Sequence, residues 1–297
     1  MNASITNFKP AWAMPTRAEH ASIGEILVAS GRLDAADVSR IAERQKKDQS
    51  RFGDAALALK LVRKDDIDYA LSKQFDYAYL SLKDSNLSKE LVAAYKPFGR
   101  TGENLRALRS QLMLRWLNSQ SQSKSLAVLS ASPGEGRSFI AANLAIVFAQ
   151  QGECVLLIDG DLRGGRQNAL FNWGTTAGLS ELLVGRTTLS EAALRVAGLP
   201  GLAVLPAGAM PPNPQELLGR PAFLALLSEA SLIFDIIIID TPAAEHFADA
   251  EIVAARAGAA MVVARRHISS MSKTAALTGR IQESGMTALV GAVLNDA

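Results

Sequence analysis

The sequence predicts an α/β protein: a doubly wound, mostly parallel sheet domain preceded by a small, mainly helical tandem-repeat domain. Three observations carry this. Six short, continuous apolar runs alternate with helix-like stretches from residue 126 onward, the pattern of strands buried on both faces. A glycine-rich segment sits between the first run and the first of those helices. The segment before them repeats itself at a fixed offset of 29 residues.

In chain order, residues 1–18 carry Pro10 and Pro15 without periodicity and read as a flexible leader. Residues 19–82 hold the repeat: Gly24 matches Gly53, Leu33 matches Val62, Asp37 matches Asp66, Val38 matches Ile67 and Gln45 matches Gln74. Each copy reads as helix, turn, helix, and two such hairpins bury each other's apolar faces. Residues 83–98, with Asp84, Ser85, Asn86 and Pro97, form a polar linker, and residues 99–297 form the sheet domain. That domain opens with a helix from about Glu103 to Leu117 and a Ser/Gln-rich connection. Strands follow at Leu126–Leu129, Val155–Ile158, Leu202–Leu205, Ile236–Ile239, Met261–Ala264 and Leu289–Leu294, with helices including Phe139–Gln150, Pro221–Ala230 and Ser272–Glu283.

Composition narrows the function. There are 15 basic against 13 acidic residues before Phe98 and 16 against 16 after it, so no basic face for nucleic acid is expected. No apolar run approaches the roughly 20 residues of a spanning helix, and the first twenty residues lack a signal-like apolar stretch, so a cytoplasmic location without a membrane span is expected. The single cysteine, Cys154, lies in an apolar run and reads as a small core side chain, and His20, His246 and His267 have no ligand spacing.

The segment Ala131-Ser-Pro-Gly-Glu-Gly-Arg-Ser138 has the spacing and the strand-to-helix context of a P-loop. Gly134 and Gly136 let successive N–H groups turn toward an anion at a helix N-terminus. Pro133, Glu135, Arg137, Ser138 and Phe139 complete the nucleotide-binding set, with the Ser138 hydroxyl available to Mg²⁺. Arg137 stands where the motif has lysine; it keeps the charge but is longer and planar. From Phe98 onward there are fourteen arginines and two lysines, which favours such an exchange.

Two acidic motifs follow. Asp159 and Asp161 end the second strand, in Leu-Leu-Ile-Asp-Gly-Asp-Leu-Arg163, and Asp240 ends the fourth, before Thr241-Pro242. At the carboxyl ends of parallel strands, such groups either hold Mg²⁺ and activate an attacking hydroxyl or merely cap the next turn. Arg137, Asp159, Asp161 and Asp240 are the catalytic candidates, and Ser138 with the three aspartates the metal candidates.

On these residues the chain resembles the bacterial tyrosine kinases of polysaccharide export, whose cytoplasmic domain belongs with the MinD/ParA-like P-loop ATPases. The resemblance covers about residues 99–297 and includes Asp159, Asp161 and Arg163, Asp240-Thr-Pro242, and Pro211-Pro-Asn-Pro-Gln-Glu-Leu-Leu218. It implies ATP and Mg²⁺ as cofactors, with Arg163 and Asn295 at the nucleotide. It also gives the helix residues Glu103, Arg106 and Arg109 the role of a ring-forming contact between copies; by spacing alone they are equally a solvated charged face. The repeat is similar to the MshEN domain of secretion and pilus ATPases, which implies cyclic di-GMP at Ile23, Gly24, Leu27, Gln45, Arg51, Phe52, Gly53 and Gln74. Ser22 stands where the first copy of that motif has arginine, and the alternative is a repeat that only docks a partner or another copy. The combination resembles the EpsG-type exopolysaccharide tyrosine autokinases. That resemblance implies a location at the inner membrane through a partner, the cytoplasmic segment of a separate membrane chain-length determinant.

Two functions follow from the sequence. One is an ATP-dependent tyrosine autokinase regulating exopolysaccharide polymerisation and export. The other is a catalytically weak regulatory ATPase, responsive to cyclic di-GMP. Arg137 favours the second, as does the position of all four tyrosines, Tyr69, Tyr77, Tyr79 and Tyr95, ahead of the sheet domain rather than in a C-terminal cluster; the paired carboxylates favour the first.

Overall fold

The computed structural model describes residues 21–74, 78–80, 85–117 and 123–296; the leader and Tyr77 lie outside them. The repeat forms four helices: α1 (Ile23–Ala29), α2 (Ala35–Asp48), α3 (Phe52–Ala58) and α4 (Lys64–Gln74). The 29-residue offset carries α1 onto α3 and the start of α2 onto that of α4. Packing is reciprocal, α1 against α4 and α3 against α2, so each copy closes the other's core. Equivalent residues meet there: Leu27 with Ala56, Leu33 with Val62, Ile41 with Ala70. Ser22, the residue out of place in the resemblance, has a local reason to be serine. Its Oγ accepts the Glu25 N–H at 3.3 Å while its own N–H donates to Glu25 Oε2 at 2.6 Å, a capping box that starts α1.

The turn within each copy passes through the left-handed region, at Gly31 (φ 67°) in the first and Lys60 (φ 56°) in the second. Only glycine occupies that region without its Cβ crowding the backbone. Lys60→Gly therefore stabilises the repeat by about 1 kcal/mol, seen as roughly fivefold slower amide exchange across α1–α4. An unchanged or faster rate refutes this.

Ahead of the sheet come α5 (Val92–Tyr95) and α6 (Arg100–Leu112), which runs on through a π-helical turn, Met113–Leu117, burying Trp116. The sheet elements are β1 (Ser125–Ser130), α7 (Arg137–Ala149), β2 (Val155–Asp159), α8 (Gln167–Leu170), α9 (Leu179–Leu183), α10 (Leu189–Ala192), β3 (Leu194–Arg195) and β4 (Leu202–Leu205). They continue with α11 (Pro214–Gly219), α12 (Pro221–Ile233), β5 (Ile236–Asp240), α13 (Asp249–Ala257), β6 (Ala259–Arg265), α14 (Met271–Glu283) and β7 (Ala288–Asn295). Strand order is β3-β4-β2-β5-β1-β6-β7, parallel except for β3, a two-residue antiparallel edge too short to leave a sequence signal.

Central strands are buried on both faces because alternate residues feed two cores. Ala127, Leu129, Leu156, Ile158, Ile237 and Ile239 face one; Leu126, Val128, Val155, Leu157, Ile236 and Ile238 face the other. The chain crosses from β1 over β5 to β2, so β1, β5 and β2 lie side by side with their carboxyl ends together. Asp159 pairs in register with Asp240, and Val128 of β1 lies on the other side of Asp240. Such a reversal in strand order opens a crevice beyond the strand ends. Among the described residues no helix is long and apolar enough to cross a membrane.

Candidate active site

The phosphate loop turns from β1 into α7 through Gly134 (φ 78°) and Gly136 (φ 90°), both left-handed. A side chain at Gly136 would collide with Asn295 Nδ2 at 2.1 Å, so this glycine is required twice over. No acceptor among the described residues takes the backbone N–H groups of Gly134, Glu135, Gly136, Arg137 or Ser138. A run of unclaimed amides ahead of a 13-residue helix is an anion cradle.

Two predicted loop residues serve the loop itself. Glu135 is buried, accepting the Ser132 N–H at 2.9 Å and the Ser269 hydroxyl; Asn295 donates from Nδ2 to the Glu135 carbonyl at 3.2 Å. Together they fix the loop from behind. Phe139 lines a recess of about 300 Å³ shared with Arg100, Thr101, Asn104 and the end of β7.

The carboxylates converge as expected. Asp159 and Asp240 are fully buried on adjacent strand ends, and Asp161 sits at the rim. Asp159 Oδ2 accepts the Gln167 N–H at 2.9 Å, and Asp240 Oδ2 accepts from Gln167 Nε2 at 2.9 Å. Asp161 Oδ1 accepts the N–H groups of Arg163 and Gly164, which leaves Oδ2 outward. Burial raises the Asp159 carboxyl well above the usual carboxylate range, and the charge of Asp240 raises it further. Burial also raises Asp240, opposed by the Arg137 guanidinium and by hydrogen bonds from Ser138 and Gln167. Burial and mutual repulsion make the ionised form of each costly, and a cation beside them is the natural neutraliser.

Arg137 takes that place in this structure. Its Nη1 donates to Ser130 Oγ at 2.6 Å, Nη2 lies 3.7 Å from Asp161 Oδ2, and Nε lies 3.4 Å from Asp240 Oδ1. Neither Nε nor that oxygen completes a hydrogen bond. Among the described residues, no three Asp, Glu, His or Cys side chains could hold an ion unaided. The set nonetheless suits Mg²⁺, which keeps most of its ligands as water and phosphate oxygens and needs only one or two carboxylates. The orphaned Asp240 Oδ1, the Ser138 hydroxyl and the empty-handed amides fit Mg-nucleotide on the same grounds.

Arg163 is placed differently from the expectation. Its guanidinium grips the fully buried Asp249 at 2.8 and 3.3 Å and stacks over Phe247, 3.7 Å from the ring centroid. It ties the loop after β2 to the start of α13 and lines a recess together with Asp159 and Asp161. Arg106 and Arg109 also turn inward: Arg106 reaches the Pro97 carbonyl and Glu103, and Arg109 the Val147 carbonyl at 2.9 Å, leaving Glu103 as the exposed member. In the repeat, Ile23, Gly24, Gln45, Phe52 and Gln74 line one apolar groove of about 770 Å³. Leu27 and Gly53 belong to the core instead, Leu27 fully buried and Gly53 against Ile67; Arg51 caps α3 outside the groove. Gln167, fully buried between the two aspartates, lies outside every motif read from the sequence.

The parallel sheet, its strand reversal and the glycine cradle define a P-loop protein of the MinD/ParA-like class. The match to the septum-site protein MinD of Pyrococcus horikoshii in its Mg-ADP complex, at 22% identity and a TM-score of 0.50 over 57% of this chain and 69% of that one, bears on the fold alone. The chain belongs to the bacterial tyrosine-protein kinases: it is 35% identical over 216 residues to tyrosine-protein kinase YwqD of Bacillus subtilis, spanning 72% of this chain and 88% of that one. It is also similar to the kinase domain of the Escherichia coli tyrosine kinase ETK, with 32% identity and a TM-score of 0.66 over 70% of this chain and 80% of that one. No family model matches the sequence.

Proposed function

We propose that this chain is an ATP-dependent protein tyrosine kinase that phosphorylates itself or a partner and regulates exopolysaccharide polymerisation and export. The observation that carries the reading is the meeting of five unclaimed loop amides with Asp159, Asp161 and Asp240 at three adjacent strand ends. The amides and Arg137 would cradle the phosphates, and Ser138 with Asp240 and Asp161 would hold Mg²⁺, which would supply charge neutralisation for the transferred phosphoryl group. Asp161 lies at the rim beside a recess bounded by Asn168 and Met210, where the attacking tyrosine hydroxyl would enter. The base enters the recess beside Phe139 and Asn104. The resemblance to polysaccharide-export kinases supports a membrane chain-length determinant as partner, an inner-membrane location through it, and self-association in which exposed Glu103 meets another copy. The repeat α1–α4 has an apolar core of its own, but Leu80, expected in the repeat domain, and Leu91, Ala93, Ala94 and Tyr95, expected in a polar linker, are buried in the core of the sheet, so the second domain is placed to begin ahead of residue 80 rather than at 99.

A second reading, a slow regulatory ATPase with a cyclic di-GMP-responsive repeat, has two observations in its favour. Arg137 lies across two of the metal carboxylates. The pseudo-equivalent pairs Ile23 with Phe52 and Gln45 with Gln74 also face one groove, which suits a ligand of two similar halves. The deciding experiment incubates the purified chain with Mg-ATP, with and without the partner's cytoplasmic segment, and follows ADP release and intact mass together. Phosphate on Tyr69, Tyr77 or Tyr79 is expected; Tyr95 is buried with its hydroxyl bonded to Leu87 and Ser85 and stays unmodified. ADP release without any gain in mass supports the second reading.

A further inference from the structure

We propose that Gln167 is a positioning residue for the metal of the bound nucleotide, an inference that rests on the P-loop reading above. Gln167 is fully buried at the start of α8, and its backbone N–H and its Nε2 donate to Asp159 and Asp240 respectively. Nε2 also lies 3.4 Å from the Ser138 carbonyl. These donations fix the amide's orientation, because the flipped amide would set Oε1 against the Asp240 carboxylate. The result is a buried acceptor, Gln167 Oε1, with no donor. Asp240 Oδ1 is in the same condition.

Orphaned buried acceptors are rare and call for a specific donor. For Gln167 Oε1 the protein supplies none, whereas Asp240 has the Ser138 hydroxyl, and Arg137 Nε lies 3.4 Å from its Oδ1 without completing a hydrogen bond. The donor that would match a buried acceptor beside a metal carboxylate is water on the ion, whose O–H groups a divalent cation polarises. Gln167 thus acts twice, holding Asp240 with its nitrogen so that Oδ1 stays toward the metal, and receiving a metal-bound water with its oxygen.

The two roles separate in two variants. Gln167→Met removes donor and acceptor, whereas Gln167→Glu keeps acceptor oxygens at the same reach. Titration calorimetry of ADP into the full chain, with excess Mg²⁺ or with EDTA, reads the gain in affinity due to the metal. For Gln167→Met the gain falls about tenfold while affinity in EDTA stays within about twofold of the parent, and Gln167→Glu retains the gain. A full Mg²⁺ gain in Gln167→Met overturns the proposal, as does an equal loss in both variants, which leaves the residue a structural spacer. Thermal melting in EDTA confirms that each variant is folded. If the unmutated chain binds ADP in neither condition, the P-loop reading itself fails, an outcome distinct from binding that the variants leave unaltered.

Discussion

Asp240→Asn lowers Mg-ATP turnover by about 10²-fold or more and at the same time makes the protein harder to melt. Both effects come from one group. Asp240 is fully buried beside Asp159, and both carboxyls are raised by burial; the Asp240 charge is the next largest cause for Asp159. In the interval above the unfolded value of 3.8, the folded state binds more protons at these groups than the unfolded chain does. Stability contributed by protonation is therefore present at low pH and is lost as pH rises through the raised folded values. Asparagine is neutral throughout and keeps an oxygen for Gln167 Nε2 to donate to, so it removes the penalty on itself and on Asp159. Melting temperatures in EDTA, measured from about pH 4 to 8, should decline with pH in the parent and decline less in the variant. Equal pH dependence in the two proteins refutes the electrostatic account; unchanged phosphate release refutes the metal assignment.

Arg137→Lys has the opposite sign for activity, raising turnover about tenfold and lowering the Mg²⁺ concentration needed for half-activation. The guanidinium spans Ser130, Asp161 and Asp240 because a planar fork offers donors in several directions. A single ammonium cannot hold all three, so lysine leaves Asp161 and Asp240 to the metal and is free to point at phosphate. Arg137→Met, which has no cation at all, falls about 10²-fold below the parent. Turnover in the lysine variant at or below that of the parent would make arginine the productive partner of the phosphates.

The central sheet was legible because β1, β2, β4, β5, β6 and β7 are continuous apolar runs, each bounded by a polar or turn residue. The phosphate loop and the three aspartates were legible because their chemistry is confined to short spacings at strand ends. What escaped is what depends on distance in the fold. Gln167 follows Asp159 by eight residues but meets Asp240, 73 residues away, only through strand pairing. Arg163 was assigned to the nucleotide by its place in a motif, yet its partner Asp249 lies 86 residues on and appears only once α13 packs beside β1. Glu135 and Asn295 show the same limit: their contacts are to a loop whose curvature the sequence does not describe. In the repeat, periodicity located four helices, but not that Leu27 and Gly53 point into the core while Gln45 and Gln74 do not.

The exchange of partners in the repeat, α1 with α4 and α3 with α2, makes the duplicated segment an intramolecular dimer. Neither half encloses an interior by itself, so each hairpin depends on the other for its buried contacts. A change on one hairpin is felt at once on the other, and the groove at their junction is open or lost as a whole. The residues from Ile23 to Gln74 thus share a single interior that neither hairpin owns.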